Sequence, residues 1–307
     1  MNHELTAKTL IVIAGPTASG KTAVGIELAR RYHTVVVSAD SRQFYREMSI
    51  GTAKPSPDEL AAAKHYFIDS LSIIETYTAG DYEQDALKVL DALFKINDFV
   101  ILVGGSGLFI KAVCEGFDFF PDIKPGIREK LIAEFESEGI SSIQERLRIA
   151  DPLYYEQVDL NNAQRVIRAL EVFETSGQPY SSFRKSGSGE RPFQIIKFGL
   201  GMDREVLYDR INRRVDEMMK HGLLDEARSL LPYRHLNALQ TVGYSELFDY
   251  FDGKTDLETA IALIKQNTRR FAKRQMTWFN KDKEITWVDV NKPGLADNII
   301  AIVDTLV

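Results

Sequence analysis

Apolar runs and amphipathic stretches alternate through the first third of the chain. Residues 9–14 are an apolar run, 22–32 an amphipathic stretch and 34–38 a second apolar run; further along, 81–95 is amphipathic and 98–103 apolar again. Strand-like runs separated by helix-like stretches are the signature of βαβ units, whose parallel strands form a sheet covered by helices. Phe99, Val100, Ile101, Leu102 and Val103 are apolar without interruption, as expected of a strand buried on both faces. That run ends in Gly104, Gly105, Ser106 and Gly107.

The texture changes near Gly116. Pro121, Pro125 and Gly126 interrupt the pattern, after which 127–135, 141–147 and 162–175 read as helices with no strand signal among them. A polar stretch at 181–189 closes this block, and 193–200 then reads as a strand able to rejoin the sheet. The expectation is an inserted all-helical domain over about 116–197 in an α/β core formed by 1–115 and 198–307. Residues 204–279 are read as mainly helical, with a last strand at 284–290. There is no internal repeat and no long low-complexity segment.

At 307 residues the chain is longer than a typical domain, in keeping with a core plus an inserted unit. Its 44% hydrophobic and 27% charged residues are ordinary for a soluble protein. No apolar run approaches the roughly 20 residues that span a bilayer, so no membrane association is expected. Residues 1–8 are polar and lack the succession of a signal peptide, so a cytoplasmic location is expected. Cys114 is the only cysteine, which excludes an internal disulfide or a multi-cysteine metal site and suits a reducing compartment. It reads as a small buried apolar residue. The histidines give no metal pattern. With a net charge of −6 the molecule is no blanket polycation, and any nucleic-acid surface must be local.

Gly15, Pro16, Thr17, Ala18, Ser19, Gly20, Lys21 and Thr22 fit the pattern G-x4-G-K-[ST] between a strand and a helix, the context that makes a phosphate loop credible. Glycines let backbone N–H groups turn inward, and the helix start adds positive potential. Lys21 brings a cation and Thr22 a hydroxyl that can ligate Mg²⁺. The fold class expected is therefore α/β, a P-loop NTPase-like core with a parallel sheet flanked by helices, plus the helical insertion. Such a loop is an ATP-binding motif by form, yet it holds a pyrophosphate leaving group equally well. Many P-loop NTPases end a later strand in an Asp. Here that strand ends in Gly104 and Gly105, and Asp40 is the acid best placed to reach the loop's ligand; a helix cap or turn is its plainer reading.

Four segments, 15–22, 38–43, 51–55 and 103–108, together resemble the tRNA dimethylallyltransferases, or tRNA isopentenyltransferases. Further matches follow in order at 162–171, 209–215, 240–244 and 268–279, so the resemblance covers nearly the whole chain. It implies attack by the exocyclic amine of the adenosine 3′ of the anticodon on the first carbon of dimethylallyl diphosphate, with release of pyrophosphate. Asp40 would accept the amine's proton. Lys21, Mg²⁺ at Thr22 and an arginine would neutralise the leaving group. Arg214 is the candidate arginine, with Arg210 and Arg213 as substitutes; a solvated helix face accounts for each equally well.

The base must be flipped out of its stack, and by the resemblance Asp40, Ser41, Arg42, Gln43, Gln164, Arg165 and Arg168 would face the anticodon loop. Ser106 would lie beside the base; many relatives have Thr there, and the hydroxyl is retained. The insertion, with Arg128, Arg146, Arg148, Arg165 and Arg168, would clamp the anticodon stem-loop. The implied partners are tRNA and dimethylallyl diphosphate, the implied cofactor Mg²⁺, and the chain is expected to be a monomer.

Lys265, Arg269, Arg270, Lys273 and Arg274 spread over about half the circumference of one helix and could lie along RNA phosphates. Phe271, Trp278 and Phe279 in the same segment read as core anchors. A P-loop kinase of a small metabolite, with Asp40 as its base, would explain the phosphate loop but not segment 51–55, residues 164–168 and the basic helix together. An enzyme prenylating free adenine nucleotides shares the first half of the pattern; the basic segments favour RNA over it. A non-catalytic nucleotide-responsive module leaves the Lys21, Thr22 and Asp40 set without purpose. On this reading ATP is not the substrate.

Overall fold

A computed structural model describes residues 8–118, 120–184 and 189–307. The polar N-terminal stretch noted above lies outside the described residues except for Lys8, as do residues 185–188 of the polar stretch at 181–189.

The chain divides into two compact units, one of Met1–Glu115 with Glu190–Val307 and one of Gly116–Gly189. In the first, β1 (Thr9–Ala14), α1 (Lys21–Arg31), β2 (Val36–Ser38), α2 (Pro57–Ala62), β3 (His65–Tyr66), α3 (Ala79–Phe94), β4 (Phe99–Gly104) and α4 (Gly107–Cys114) precede the second unit. That unit holds α5 (Ile127–Glu138), α6 (Ile140–Ala150), α7 (Pro152–Tyr155), α8 (Ala163–Ser176) and α9 (Tyr180–Phe183). The first unit resumes with β5 (Gln194–Gly201), α10 (Arg204–Lys220), α11 (Leu223–Leu230), α12 (Tyr244–Phe251), α13 (Leu257–Phe279), β6 (Ile285–Asp289) and α14 (Leu295–Val303).

Among the described residues the strands form one six-stranded sheet in the order β3-β2-β4-β1-β5-β6, and every pairing is parallel. The alternation of a pleated strand explains how β1 and β4 can be apolar throughout. Leu10, Val12, Val100 and Leu102 pack under α3 and α4, against Tyr82, Ala86, Leu90 and Val113. Ile11, Ile13, Ile101 and Val103 pack on the other face against Leu28, Ala29, Ile299 and Val303 of α1 and α14. A separate cluster joins α10 to α13, centred on Tyr244, Leu223, Val215 and Ile264. Cys114 is free and buried, and burial pushes its thiol up to about 12, in keeping with a small apolar residue.

β5 begins at Gln194 and pairs with β1 from the outset, Thr9 opposite Gln194. Residues 194–197, assigned to the insertion by sequence, are therefore sheet, and the helical unit ends at Gly189. Its core is Leu131, Ile143, Leu147, Val166 and Leu170. Many of its charges are internal. Glu171 is buried on α8 and pairs with Arg128 at 2.7 Å and Arg168 at 3.3 Å, while Arg146 bridges Glu134 and Glu174. Among the described residues no helix is long and apolar enough to cross a membrane.

In an open parallel sheet ligands bind beyond the carboxyl ends of the strands, where the order reverses. β1, β2 and β4 end there together, at Ala14, Ser38 and Gly104. The approach is close: a Cβ on Gly104 would lie 2.4 Å from the Ala39 carbonyl oxygen, a backbone atom. Gly104→Ala should therefore destabilise the chain by about 1–3 kcal/mol, read as a lower midpoint in denaturant unfolding; an unchanged midpoint would show that the two strand ends can separate freely.

Candidate active site

Three loops leave the sheet at this edge. The first, from β1, carries residues 15–20 into α1, whose N-cap is Gly20 with a left-handed φ of 94° and no side-chain cap. The first-turn N–H groups of a helix have no intrahelical acceptor, and here the N-cap glycine has no side chain to cap them. Lys21 folds back so that its ammonium donates to the Pro16 carbonyl at 2.6 Å. Ser19 is buried, and its hydroxyl makes no hydrogen bond. The second loop, after β2, holds Asp40, whose carboxylate accepts the Arg42 N–H at 3.1 Å. The third, after β4, carries Ser106, which accepts the Ser41 N–H at 3.1 Å and donates to the Ser41 hydroxyl at 3.2 Å.

These loops border one open cavity of about 780 Å³, lined elsewhere by segment 51–55 and by α10 and α13. Burial depresses the Lys21 ammonium to about 8, against the opposing pull of Asp40 and with some help from Arg214. Burial also raises the Asp40 carboxyl above the ordinary aspartate range, opposed by the Arg42 N–H and the charges of Lys21 and Arg42. Arg214 reaches the cavity from α10; desolvation lowers its pKa, opposed by the charge of Glu59 and helped by that of Arg210, but a guanidinium remains a cation. Two cations, half-buried Lys21 and exposed Arg214, and a half-buried proton-accepting carboxylate thus border one space. Such a set can hold a polyphosphate and take a proton from a neighbouring nucleophile.

Two side chains fix the loops. Gln275, buried on α13, accepts the Thr17 N–H at 2.9 Å and donates to the Gly105 carbonyl at 2.8 Å. Glu226 of α11 accepts the N–H groups of Ser49, Ile50 and Gly51 at 2.8–2.9 Å and the Tyr244 hydroxyl at 2.7 Å. Among the described residues no group of three His, Cys, Asp or Glu could hold a metal. An ion here would have the Thr22 hydroxyl and the oxygens of the bound substrate, the donor set of a phosphate-loop Mg²⁺.

The family model described as IPP transferase matches residues 43–282. A tRNA dimethylallyltransferase of Christiangramia forsetii is 53% identical over 298 residues, 96% of this chain and 99% of that one. The chain belongs to the tRNA dimethylallyltransferase family. Another tRNA dimethylallyltransferase, from Bacteroides thetaiotaomicron, is 51% identical over 91% of both chains. The crystal structure of a tRNA isopentenylpyrophosphate transferase from Bacillus halodurans superposes with a TM-score of 0.71 at 37% identity, covering 97% of this chain and 95% of that one. A eukaryotic dimethylallyltransferase acting on tRNA shares the fold, with a TM-score of 0.83 at 24% identity over 98% of this chain and 79% of that one.

In this tRNA dimethylallyltransferase family member the cavity brings together Thr17, Ala18, Gly20, Lys21, Thr22, residues 40–43, Ser106 and Arg214. Arg213 is tied to Asp209 at 2.7 Å, and neither it nor Arg210 lines the cavity, which separates Arg214 from its substitutes. Gln164, Arg165, Arg128 and Arg168 lie in the helical unit, where the last two hold Glu171. The basic arc on α13 is partly engaged, since Lys265 pairs with Asp216 at 2.6 Å and Arg269 donates to Asn212 at 2.7 Å. Phe271 and Trp278 are not core anchors. They are exposed and line the cavity, whereas Phe279 is buried. Adjacent positions on a helix differ by about 100°, so 271 and 278 turn away from the stripe of Ala272, Gln275 and Phe279.

Gln275 and Glu226 escaped the sequence reading. The signal for Gln275 was available, because it falls at helical spacing between buried Ala272 and Phe279; for Glu226 there was none, its three backbone partners lying about 175 positions away. Glu226→Ala removes the acceptor of four hydrogen bonds and should cost about 3 kcal/mol, with segment 51–55 gaining susceptibility to proteolysis. Unchanged stability and protection would show that other contacts hold this loop.

Proposed function

We propose that this chain transfers a dimethylallyl group from dimethylallyl diphosphate to the N6 amine of the adenosine 3′-adjacent to the anticodon of tRNA, releasing pyrophosphate. The observation that carries the reading is a phosphate loop whose lysine shares its cavity with a half-buried, proton-accepting Asp40 and with Arg214. About 780 Å³ suits a flipped nucleoside together with a short diphosphate. β4 ends at Gly104 without an acid, which is why diphosphate departure, and not attack on ATP, fits the loop. The chain acts on tRNA in the cytoplasm, as a monomer.

In the reaction the N6 lone pair forms a bond to C1 of the donor while the C1–O bond breaks and its electrons leave with pyrophosphate. Asp40 accepts the proton that N6 loses. The N–H groups of the phosphate loop, Lys21 and Arg214 lie where negative charge grows on the leaving group. Mg²⁺ at Thr22 adds positive charge at the diphosphate when bound. Ser41, Arg42, Gln43 and Ser106 border the acceptor side, and Arg42 is held by donation to the Asn237 carbonyl at 3.0 Å. In the helical unit Gln164 and Arg165 are exposed on α8, and with Arg128 and Arg168 they form the surface offered to the anticodon stem-loop.

Labelled dimethylallyl diphosphate, Mg²⁺ and unmodified tRNA should give labelled tRNA; ready ATP hydrolysis without transfer would sink the reading, and labelling of free AMP alone would move it to the nucleotide class. Asp40→Asn should lower kcat by about 10²–10⁴ with tRNA binding retained, whereas full activity would remove Asp40 as the base.

The pH dependence follows from the two shifted groups. Asp40 must be ionised to accept a proton, so activity falls as pH drops through its raised pKa. Lys21 must be charged to hold the donor, so kcat/KM for dimethylallyl diphosphate should also fall as pH rises through about 8. Bound diphosphate favours the ammonium, so the alkaline limb of kcat should lie higher than that of kcat/KM. A kcat/KM that stays flat from pH 7 to pH 10 would contradict the role of Lys21.

A further inference from the structure

The Asp40 carboxylate is aimed by its own turn. It accepts the Arg42 N–H at 3.1 Å, and the turn closes where the Gln43 N–H donates to the Asp40 carbonyl at 3.2 Å. Whatever holds residues 41–43 therefore sets the direction of the carboxylate. Ser106 holds the near end, at Ser41. At the far end the Gln43 side-chain amide donates to the carbonyls of Thr52 and Ala53, at 3.2 Å and 3.1 Å.

Those two carbonyls belong to a turn, residues 49–54, that lies outside every strand and helix. Ala53 stands at a φ of 50°, left-handed without being glycine, a conformation that persists only where its surroundings over-determine it. Within the turn the Ala53 N–H donates to the Ile50 carbonyl at 3.0 Å and the Thr52 hydroxyl to the Met48 carbonyl at 2.7 Å. Lys54 ties the end of the turn to the Tyr45 carbonyl at 2.6 Å. The start is held from α11, where Glu226 accepts three successive N–H groups, those of Ser49, Ile50 and Gly51. Fully buried Tyr244 donates to the same carboxylate, and it lies so close to Gly51 that a Cβ there would come within 2.6 Å of its ring. Glu226 itself does not line the cavity.

We propose that Glu226 is a positioning residue for the transfer reaction: by fixing the 49–54 turn it fixes the carbonyls that hold Gln43, and through Gln43 the direction of the Asp40 carboxylate. This inference rests on the reading of Asp40 as the base of tRNA prenyl transfer. A carboxylate has two oxygens with about four lone pairs, enough for the four donors that converge on it here, and no neutral side chain of this size accepts as many. A base must stand within about 2.6–3.2 Å of the proton it takes, and a misplacement of about 1 Å costs roughly 10²-fold in rate. A side chain outside the cavity thus acts on kcat through hydrogen bonds and one short piece of backbone.

Glu226→Gln keeps the size of the side chain. Its oxygen can serve the Ser49 and Ile50 N–H groups and its amide can donate to the Tyr244 hydroxyl, which leaves the Gly51 N–H without an acceptor. With dimethylallyl diphosphate and tRNA this variant should lose about tenfold in kcat and Glu226→Ala about 10²-fold. KM for the donor should stay within about twofold, because Lys21 and Arg214 stand on α1 and α10. A double-mutant cycle separates positioning from loss of folded protein: Gln43→Ala already breaks the link, so in that background Glu226→Gln should cost less than about twofold further in kcat. The same tenfold loss in both backgrounds would overturn the proposal, as would an unchanged kcat in Glu226→Gln and Glu226→Ala. Hydrogen exchange followed by NMR reads the link without turnover. In Glu226→Gln the N–H groups of Arg42 and Gln43 should exchange about tenfold faster and that of Ser19 in the phosphate loop should not; unchanged rates at Arg42 and Gln43 would also overturn it. Absence of transfer by the wild-type chain defeats the reading of the site instead, while the exchange rates still decide whether Glu226 holds the Asp40 turn.

Discussion

Gln275 is an uncharged amide in the interior of the first unit, satisfied on both sides: it accepts the Thr17 N–H and donates to the Gly105 carbonyl. The sheet sets the spacing where the loops begin, with Ala14 paired to Gly104 and the Ala39 N–H donating to the Val103 carbonyl, but not beyond the strand ends. The amide fixes it. Ser106 extends the same network by bonding both the N–H and the hydroxyl of Ser41, next to Asp40. Phosphate loop, α13, glycine loop and the Asp40 loop are therefore linked through two side chains. A neutral group suits this position because a buried charge would be costly to desolvate and would disturb Lys21 and Asp40.

Burial acts in opposite directions on those two groups, lowering the lysine and raising the aspartate, while each opposes the shift of the other. Their protonation is consequently sensitive to what enters the cavity. A diphosphate restores the ammonium of Lys21 by adding negative charge near it. An acceptor base that displaces water beside Asp40 strengthens the preference of that carboxyl for a proton. On the proposed reaction, the donor makes its own binding site more cationic and the acceptor makes its own base stronger.

The parallel sheet was legible because the apolar runs were long and uninterrupted; β1 coincides with the run at 9–14. β3, two residues long, carries no periodic signal, and α14 lies beyond the last strand read. The start of β5 was absorbed into the insertion because four residues of a strand look the same on either side of a boundary. At the site, Lys21, Thr22 and Asp40 were legible through motif and context. The partners of the helical unit's arginines were not. Glu134, Glu171 and Glu174 meet Arg128, Arg146 and Arg168 mostly through packing between helices, a matter of three-dimensional placement. Phe271 and Trp278 were misassigned through being grouped with Phe279 by proximity in sequence, when the helical period itself separates them.

The basic stretch of α13 gains a different meaning once its partners are seen. Lys265 and Arg269 reach Asp216 and Asn212 on α10, two positions to either side of Arg214. Residues 212 and 216 are four apart and share one helix face, so the two contacts grip α10 along that face and fix its rotation. The rotation decides whether Arg214 or Arg213 points into the cavity. Charges that sequence alone would assign to an RNA backbone thus orient the helix that carries Arg214, the arginine proposed to meet the leaving group. Arg274 is the member of the stretch that borders the cavity itself. With a net charge of −6, the chain has no general positive field, and on the proposed reaction it would meet two polyanionic substrates through such local placement of cations.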